Sequence, residues 1–391
     1  MIPAVMPTYA RWDVTVDRGE GCYLYATDGR KFLDFTSGIA VTSLGHCHPH
    51  LIEAVTAQAQ KLWHVSNLFQ IPGQQRLAER LVAQSFADTV FFNNSGAEAV
   101  ELAVKVARKY QSATGHPERY RLIACHGSFH GRSFATLAAA GAEAYLKGFG
   151  PAMEGFDHVA FNNLNEMRAA ITSETAAILL EPVQGEGGVR APSADYLKGL
   201  RAICDEFGLL LVFDEVQCGM GRTGRLFAHE AAGVAPDVMA IAKALGNGFP
   251  IGACLATEKA AIGMVPGTHG STFGGNPLAV AAGNAVLDVM LEPGFFARVE
   301  RTSRVLRDKL AGLVAAYPKL FAELRGAGLL LGIRCHVPAG EFVAKLRANG
   351  LLCLTAGENV LRILPPLIVS DGEIAEGMGI IDQVARQWPA S

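Results

Sequence analysis

Short apolar runs alternate with amphipathic stretches between about residue 89 and residue 257. The runs have the length and composition of strands, and they are TVFFN, RLIACH, HVAFN, AAILLEPV, LLLVFDE, VMAIA and GACLAT. Two of the stretches between them, AVELAVKVARKY and ADYLKGLRAICDEFG, read as helices. Runs that are apolar throughout are typical of strands buried on both faces. The pattern predicts an α/β fold with a mainly parallel sheet wrapped by helices.

The pattern changes near residue 298, where long helical segments give way to LLLGIRC, EFVAKLRANG, LLCLTAG and VLRILPP. This second pattern indicates a smaller α+β domain. Near the amino terminus, GCYLYATDG and KFLDF form a predicted strand pair that we expect to pack beside the small domain. We therefore predict an N-terminal segment at 1–60 packing with the small domain, a large domain at 61–295 and a C-terminal small domain at 296–391.

Composition narrows the class of partner. The chain has 391 residues, of which 50% are hydrophobic and 18% charged, which is ample material for a large core. Its net charge of -3, with both signs interspersed, favours a small-molecule partner over nucleic acid or a membrane surface. The sequence has no signal-like start and no run long enough to span a bilayer. Its 8 cysteines are scattered without a CxxC, so we expect a cytoplasmic protein with reduced thiols and no metal site.

Polar residues that end apolar strands are the first candidates for a site, because ligands collect at the carboxyl ends of strands in open α/β sheets. Asp214 and Glu215 end LLLVF, where a solvated strand end is the ordinary interpretation. A strand ending in Asp-Glu also occurs in nucleotide hydrolases, which need a GxxxxGK[ST] loop. The sequence contains no Gly-Lys pair, so that class is excluded.

Lys243 directly follows the apolar run VMAIA. Alone, it is equally well explained as a lysine whose charged end reaches solvent from a strand end. An amine that forms an imine loses its charge and keeps a chemical role in an apolar setting. Lys243 and Asp214 on neighbouring strands are the pair that pyridoxal phosphate needs, namely an imine-forming lysine and an acid for the pyridine nitrogen. Together the two residues predict a pyridoxal-phosphate site, which neither residue predicts alone.

Two further segments supply what this cofactor requires. Gly96 and Ala97 follow Ser95 at the start of an amphipathic helix, where free amides and the helix dipole favour a phosphate. A plain Ser95 cap with Glu98 completing a capping box fits the same letters, and both interpretations can hold.

In CHGSFHGRS, Phe129 can stack on a ring, and Arg132 can bind a carboxylate through two hydrogen bonds. His130 in the same segment is by itself more often structural.

Two alternatives belong to other classes. CGMGRTG matches GxGxxG, which would suggest a nicotinamide-dependent oxidoreductase, but it stands in mid-chain without a clear ribose-binding acid about twenty residues later. The histidines of LGHCHPH invite a metal site, yet their spacing resembles a turn and no carboxylate or second ligand pair accompanies them.

With these motifs assembled, the sequence resembles the class III aminotransferases, a pyridoxal-phosphate group of fold type I, over nearly its whole length. The resemblance rests on GIAVTSLGHCHP, LWHVSNLF, FFNNSGAEAVE, FHGRSFATLAA, EPVQGEGGV, LLLVFDEVQCGMGRTG, APDVMAIAKALGNGFPIGA, HGSTFGGNPLA and LRILPPL. One departure is Val100 before Glu101, where the family commonly has Asn-Glu. This position lies inside the helix, away from the expected phosphate.

The resemblance implies a set of cofactor-binding positions: Gly96, Ala97, Phe129, Asp214, Glu215, Val216, Gln217, Lys243 and Thr272. Within that set, Lys243 carries the cofactor and Asp214 pairs with the pyridine nitrogen. Gln217 approaches the ring hydroxyl, and Val216 packs on the ring face opposite Phe129.

For substrates, the resemblance implies that Arg132 binds a carboxylate and that Arg362 is a second carboxylate receptor with Glu186 as its partner. It also implies a homodimer, in which Ser271 and Thr272 reach the neighbouring site. The implied reaction converts N2-acetyl-L-ornithine and 2-oxoglutarate into N-acetyl-L-glutamate 5-semialdehyde and L-glutamate, a step of arginine biosynthesis. Succinylornithine, succinyl-diaminopimelate, ornithine and 4-aminobutyrate stay open as alternative amino donors.

Overall fold

The computed structural model describes residues 2–389. The helices are α1 (Ser37–Ala40), α2 (Pro49–Ala59), α3 (Pro72–Ala83), α4 (Gly96–Ala113), α5 (Phe134–Ala140), α6 (Glu143–Leu146), α7 (Leu164–Ala169), α8 (Ala194–Phe207), α9 (Pro277–Met290), α10 (Phe295–Ala316), α11 (Ala339–Ala348) and α12 (Asp371–Arg386). The strands are β1 (Val16–Glu20), β2 (Tyr23–Ala26), β3 (Lys31–Asp34), β4 (Thr89–Asn93), β5 (Arg121–Cys125), β6 (Phe156–Val159), β7 (Thr175–Leu180), β8 (Leu210–Asp214), β9 (Val238–Ile241), β10 (Gly252–Ala256), β11 (Phe321–Ala327), β12 (Leu330–Cys335), β13 (Leu351–Leu352), β14 (Leu354–Ala356) and β15 (Val360–Ile363).

A seven-stranded sheet forms the centre of the molecule, in the order β4-β10-β9-β8-β7-β5-β6. Strands β5 to β9 pair in parallel, whereas β10 runs antiparallel to both of its neighbours. All residues of β7 and β8 are buried, as expected for strands covered on both faces. The predicted α/β fold with a mainly parallel sheet is confirmed.

The predicted run HVAFN differs from the observed strand. The strand is Phe156–Val159, and it pairs in parallel with β5. It ends earlier than the apolar letters suggest, because Asn162 has a φ of 66° and the chain turns there. A left-handed residue of this kind cannot continue a strand.

Two smaller sheets flank the central one. The first has the order β1-β2-β3-β13, so strands near the amino terminus pair with a strand from the last hundred residues. In that pairing, Leu33 lies opposite Leu351 in a parallel register. The second has the order β11-β12-β15-β14. The pairing of N-terminal and C-terminal strands supports an N-terminal segment that packs with the small domain, and the division at residues 60 and 295 stays a proposal.

Within residues 2–389, no single helix combines the length and apolar character needed to cross a membrane. The consecutive helices α9 and α10 meet the criterion only when taken together, and they are bent by 74° relative to each other.

Candidate active site

A cavity of about 380 Å³ opens at the carboxyl edge of the central sheet. Its walls come from the end of α1, from the ends of β4, β5, β7, β8 and β9 and the segments that follow them, and from the segment before β10. The lining residues are Val41, Asn94, Ser95, Gly96, Ala97, Phe129, His130, Gly131, Arg132, Glu181, Asp214, Val216, Gln217, Ala242, Lys243, Gly248, Phe249, Pro250 and Ile251. A larger groove of about 600 Å³ lies between residues 223–230 and 290–300. That groove contains none of the predicted site residues.

Asp214 ends β8 and is held from two sides. Its Oδ2 lies 2.8 Å from Nδ1 of His130, and its Oδ1 accepts the backbone N–H of Val216 at 3.0 Å. Both Asp214 and His130 are buried. Nε2 of His130 is buried without a hydrogen-bond partner among residues 2–389. The histidine that the sequence left as structural therefore orients the acid of the site.

Lys243 is separated from the end of β9 by Ala242, and its φ of 47° places it in the left-handed region. A non-glycine residue in that region stores strain, and such residues cluster at functional sites. Burial lowers the pKa of Lys243 to about 8, while Glu186 raises it, Arg362 lowers it further and Asp214 raises it again. A lysine with this pKa contains far more neutral, nucleophilic amine near neutral pH than an ordinary lysine does.

The helix α4 starts at the cavity. The side chain of Ser95 accepts the backbone N–H of Glu98 at 3.2 Å, while a carboxylate oxygen of Glu98 accepts the backbone N–H of Asn94 at 2.6 Å. The reciprocal bond of the predicted capping box is thus shifted by one residue, from Ser95 to Asn94. The amides of Gly96 and Ala97 belong to the first helical turn, so they have no acceptor within the helix and can bind an anion.

Gly96 and Val216 meet at the wall of the cavity. A Cβ atom added to Gly96 would lie 2.6 Å from Cγ1 of Val216, which is closer than two carbon atoms can approach. Only glycine lets the start of α4 come this near to the segment after β8. Phe129, which also lines the cavity, donates its backbone N–H to Oε2 of Glu181 at 3.1 Å.

Glu181 is a cavity residue that the sequence analysis did not select. It directly follows β7 and is 3% exposed. Burial, and then the charge of Asp214, raise the pKa of Glu181 well above its ordinary value. Such a shift favours the protonated, uncharged form of the carboxyl. The signal was present, because Glu181 ends its apolar run as Asp214 ends the neighbouring one.

Arg362 of β15 and Glu186 form an ion pair next to the cavity. An Nη of Arg362 hydrogen-bonds Oε1 of Glu186 and also Oε1 of Gln217, the latter at 3.0 Å. Nε2 of Gln217 donates to the same oxygen of Glu186 at 3.2 Å. Burial opposes ionisation of Glu186, but the charge and hydrogen bond of Arg362 outweigh it and lower the pKa of Glu186. The pair is therefore ionised on both sides.

Arg132 lies at the mouth of the cavity and is exposed. Its guanidinium carbon is 3.9 Å from the ring centre of Tyr145 and 5.5 Å from that of Phe129. No carboxylate within residues 2–389 forms an ion pair with Arg132. Its hydrogen-bonding edges are therefore available to a substrate carboxylate.

Three predicted residues do not join this group. The carboxylate of Glu215 points away from the cavity, where it accepts the backbone N–H groups of Ala228 at 2.6 Å and His229 at 2.9 Å. The side chain of Glu215 therefore binds backbone groups outside the cavity and does not line the cavity. Ser271 and Thr272 also lie outside the cavity wall, and Thr272 is exposed.

The two alternatives from other classes find no support in the geometry. The glycines of CGMGRTG do not open a helix directly after a strand, as a dinucleotide fingerprint requires, because the next helical segment is the 3-10 turn Ala228–Ala232. In LGHCHPH, Nε2 of His46 pairs with Asp34 at 2.9 Å and Nε2 of His50 with Asp288 at 3.0 Å. These two histidines thus contact different carboxylates.

The chain matches the family described as aminotransferase class-III over residues 5–385. It belongs to the class III aminotransferases. It is 58% identical over 389 residues to acetylornithine aminotransferase 1 of Bradyrhizobium diazoefficiens, covering 100% of this chain and 96% of that protein. It is 56% identical over 383 residues to the acetylornithine aminotransferase of Agrobacterium fabrum, covering 98% of this chain and 96% of that protein.

Solved structures of class III aminotransferases have the same fold. The N-acetylornithine aminotransferase of Stenotrophomonas maltophilia is 41% identical with a TM-score of 0.84, and the match covers 96% of each chain. The ornithine aminotransferase of Toxoplasma gondii is 32% identical with a TM-score of 0.94, covering 98% of this chain and 92% of that one. Another structure of the Toxoplasma enzyme contains partially occupied pyridoxal phosphate at its active site.

This class III aminotransferase depends on pyridoxal phosphate, and the chemistry of its cavity fits that group. The cavity combines the free amides of Gly96 and Ala97, a buried acid at Asp214, an amine of lowered pKa at Lys243 and the aromatic ring of Phe129. The phosphate, the ring nitrogen, the carbonyl group and the flat ring of the cofactor each have a protein group of matching chemistry in the cavity.

Proposed function

We propose that this aminotransferase transfers the distal amino group of N2-acetyl-L-ornithine to 2-oxoglutarate, giving N-acetyl-L-glutamate 5-semialdehyde and L-glutamate, in arginine biosynthesis. The observation that carries the proposal is the contrast between two arginines at the cavity. Arg362 is paired with Glu186, whereas Arg132 is exposed and has its guanidinium carbon 3.9 Å from the ring centre of Tyr145. Relatives at 56% and 58% identity that are named acetylornithine aminotransferase support the choice of donor.

The cofactor, when bound, supplies an electron sink for the reacting carbon. The amides of Gly96 and Ala97 would hold its phosphate, and Phe129 and Val216 would flank its ring. Asp214 would hold the pyridine nitrogen in its protonated state, because this acid is buried and fixed by His130 and a backbone N–H. Gln217 lies in the cavity wall and would approach the ring hydroxyl.

Lys243 is the proton carrier of the site in this proposal. Because burial lowers the pKa of its amine to about 8, Nζ can both accept and release a proton near neutral pH, the condition for efficient general acid–base catalysis. Its left-handed backbone conformation fixes the start of the side chain at the end of β9. The residue itself begins the short 3-10 turn Lys243–Leu245, which is buried at Ala244 and Leu245.

The pair of Glu186 and Arg362 explains how one site accepts substrates with different charges. Acetylornithine has one carboxylate, at its acylated end, which Arg132 binds. Its reacting end carries no carboxylate, so Glu186 neutralises Arg362 while this donor is bound. Glutamate and 2-oxoglutarate bring an α-carboxylate to the same end, where it displaces Glu186 and takes both hydrogen bonds of the Arg362 fork.

A panel of amino donors with 2-oxoglutarate tests the proposal. The panel contains acetylornithine, succinylornithine, succinyl-diaminopimelate, ornithine and 4-aminobutyrate, and glutamate formation is measured for each. We expect the highest kcat/KM with acetylornithine. A higher value with ornithine or 4-aminobutyrate would assign the enzyme to a different branch of the same family.

We also propose a homodimer in which Ser271 and Thr272 contribute to the neighbouring subunit's site, with Thr272 reaching the phosphate. Support comes from their location outside the cavity of their own chain and from the exposure of Thr272. Mixing a Lys243→Ala subunit with a Thr272→Ala subunit tests the arrangement. Each homodimer should be impaired, and the mixed dimer should contain one site with both residues intact and recover part of the activity.

The cytoplasm is our proposed location. All 8 cysteines of the chain are free, and 7 of them are buried, a state that a reducing compartment maintains. Fractionation of the source cells would test this, with enzyme activity expected in the cytoplasmic fraction.

A further inference from the structure

Tyr145 lies between the carboxylate receptor and the aromatic wall of the cavity. The guanidinium carbon of Arg132 is 3.9 Å from the centre of the Tyr145 ring. The same ring meets that of Phe129 edge to face, with centroids 6.1 Å apart and an interplanar angle of 88°. Tyr145 is thus in contact with both residues, although it stands outside every motif of the sequence analysis.

We propose that Tyr145 is a positioning residue that holds Arg132 for the substrate carboxylate, and that it thereby sets the preference for carboxylated over uncarboxylated amino donors. The inference rests on the proposed role of Arg132 and extends it.

The stacking geometry leaves Arg132 able to bind. A guanidinium that stacks on a ring uses its flat face, so its N–H groups, which lie in the plane, stay free for a two-pronged hydrogen bond. Arg132 is exposed and has no ion-pair partner among residues 2–389. Without the ring, its long side chain would sample many rotamers, and binding a carboxylate would require ordering it first.

The chain holds Tyr145 in place through a tight turn. Helix α5 ends at Gly141, which has a φ of 62° and serves as a left-handed cap. A Cβ atom at Gly141 would lie 2.4 Å from Nε2 of His158, so the turn packs closely against a neighbouring strand. The chain then enters α6, which contains Tyr145.

The inner end of this aromatic contact is also fixed. The backbone N–H of Phe129 is bound by the buried carboxyl of Glu181. A continuous set of contacts therefore runs from the buried sheet edge through Phe129 and Tyr145 to Arg132. This arrangement keeps the carboxylate receptor at a set place relative to the reacting end of the cavity.

A pair of donors that differ only in the carboxylate tests the proposal. N-acetylputrescine is N2-acetyl-L-ornithine without its carboxylate, and each donor is reacted with the holoenzyme. In Tyr145→Leu, we expect the KM for acetylornithine to rise roughly two- to fivefold, the range for losing one exposed cation–π contact, with kcat little changed. The kinetic constants for N-acetylputrescine should not change. Tyr145→Phe keeps the ring face and should restore most of the preference.

Three controls separate the explanations. Phe149→Leu changes an exposed aromatic residue in the same segment and should leave the donor preference intact. Arg132→Met should abolish the preference, and Arg132→Met combined with Tyr145→Leu should behave like Arg132→Met alone.

Binding of glutarate, an unreactive dicarboxylate, provides a measurement without turnover, since its dissociation constant follows from the absorbance of the bound cofactor. The dissociation constant of glutarate should rise in Tyr145→Leu but not in Tyr145→Phe.

The outcomes are distinguishable. If Arg132→Met kept the preference for acetylornithine, the proposed role of Arg132 would be wrong. If Arg132→Met abolished the preference but Tyr145→Leu kept it, the role of Arg132 would stand and Tyr145 would not position it. If Tyr145→Leu impaired both donors equally, Tyr145 would be a packing residue of its segment. Should Tyr145→Leu not fold, as judged by its melting temperature, Tyr145→Gln removes the same ring face and receives the same tests.

Discussion

The titratable side chains in the inner part of the cavity have different binding partners from those in the outer part. The inner part contains Asp214, His130 and Glu181, all buried and each bound by the backbone or by one another. In the outer part, Arg132 is exposed on an aromatic ring, and Glu186 is bound only by side chains, those of Arg362 and Gln217. Fixed hydrogen-bond partners suit a step that is the same for every substrate, whereas side-chain partners that can exchange suit the selection among substrates.

The difference has a physical basis. Burying a charge is costly unless it is paired and hydrogen-bonded, so the inner groups leave few alternative arrangements. In the outer pair Arg362 is buried as well, but Glu186 is only partly buried, with 27% of its side chain exposed, and can be hydrated when it leaves Arg362. Inner substitutions should therefore lower turnover with every substrate, and outer ones should change the ratio between substrates.

The largest effect is expected for Lys243→Ala. Without the amine there is neither a group to bind the cofactor covalently nor a proton carrier, so turnover should fall by at least about 10⁴-fold, the upper range for one acid–base group. Borohydride should fix the cofactor to the wild-type chain at Lys243 and should not fix it to the variant. Peptide mapping by mass spectrometry reads this out. Labelling of another lysine in the wild type would overturn the assignment.

Asp214→Asn should have the next largest effect. A neutral amide has nearly the same shape as the acid but cannot stabilise a protonated pyridine nitrogen, so transamination should fall about 10²- to 10³-fold for every donor. Cofactor binding should survive better than turnover, as measured by absorbance after gel filtration. Near wild-type turnover would mean that Asp214 only ends its strand.

The sequence predicted the sheet well because its signal is local. Runs such as AAILLEPV and LLLVFDE are apolar throughout, and their cores became the fully buried strands β7 and β8. The end of the run HVAFN was predicted less well, although Asn162, which turns the chain in a left-handed conformation, is of a residue type that favours this conformation. The reciprocal bond of the capping box likewise moved by one residue, from Ser95 to Asn94.

For the site, the sequence identified residue types at strand ends but not the direction of their side chains. Asp214 and Glu215 are adjacent, and successive side chains near a strand end point to opposite sides, so only one could face the cavity. Glu181 met the same criterion and was not selected. Tyr145 could not be predicted, because the turn at Gly141 brings it to Arg132, and nothing in the sequence specifies that contact.

The outer pair should give a selective effect. Arg362→Lys removes the fork that takes the α-carboxylate, so the glutamate half-reaction should slow roughly ten- to hundredfold, the range for losing charge-assisted hydrogen bonds. Glu186→Gln should instead impair the acetylornithine half-reaction and leave that of glutamate similar or faster. Single-turnover absorbance measurements with each donor separate the two halves.

Arg132→Lys is the matched comparison for that experiment, because Arg132 serves both substrates in the proposed function. It should weaken the two half-reactions alike. If Glu186→Gln slowed both half-reactions equally while Arg362 was intact, the ion pair of Glu186 and Arg362 would be a fixed structural pair.

The smallest effect concerns the protonation of Lys243, where the inner and outer parts of the cavity interact. Burial lowers the pKa of Lys243 to about 8, Glu186 raises it and Arg362 lowers it. In the cofactor-free enzyme, the fraction of Lys243 in the neutral form should therefore rise with pH and reach one half near that value. Only about a tenth should be neutral at pH 7. Pulse labelling with an amine-directed reagent, quantified by mass spectrometry at the Lys243 peptide, measures this midpoint.

Two variants shift the midpoint in opposite directions. Glu186→Gln removes a charge that favours the protonated amine, so the midpoint should move to lower pH. Arg362→Gln removes a charge that disfavours it, so the midpoint should move to higher pH. Each shift is expected to be on the order of one pH unit or less, because the charges act across a polar cavity. The value for a free lysine side chain is about 10.4. If the midpoint lay near that value and neither variant moved it, the outer pair would not influence the amine.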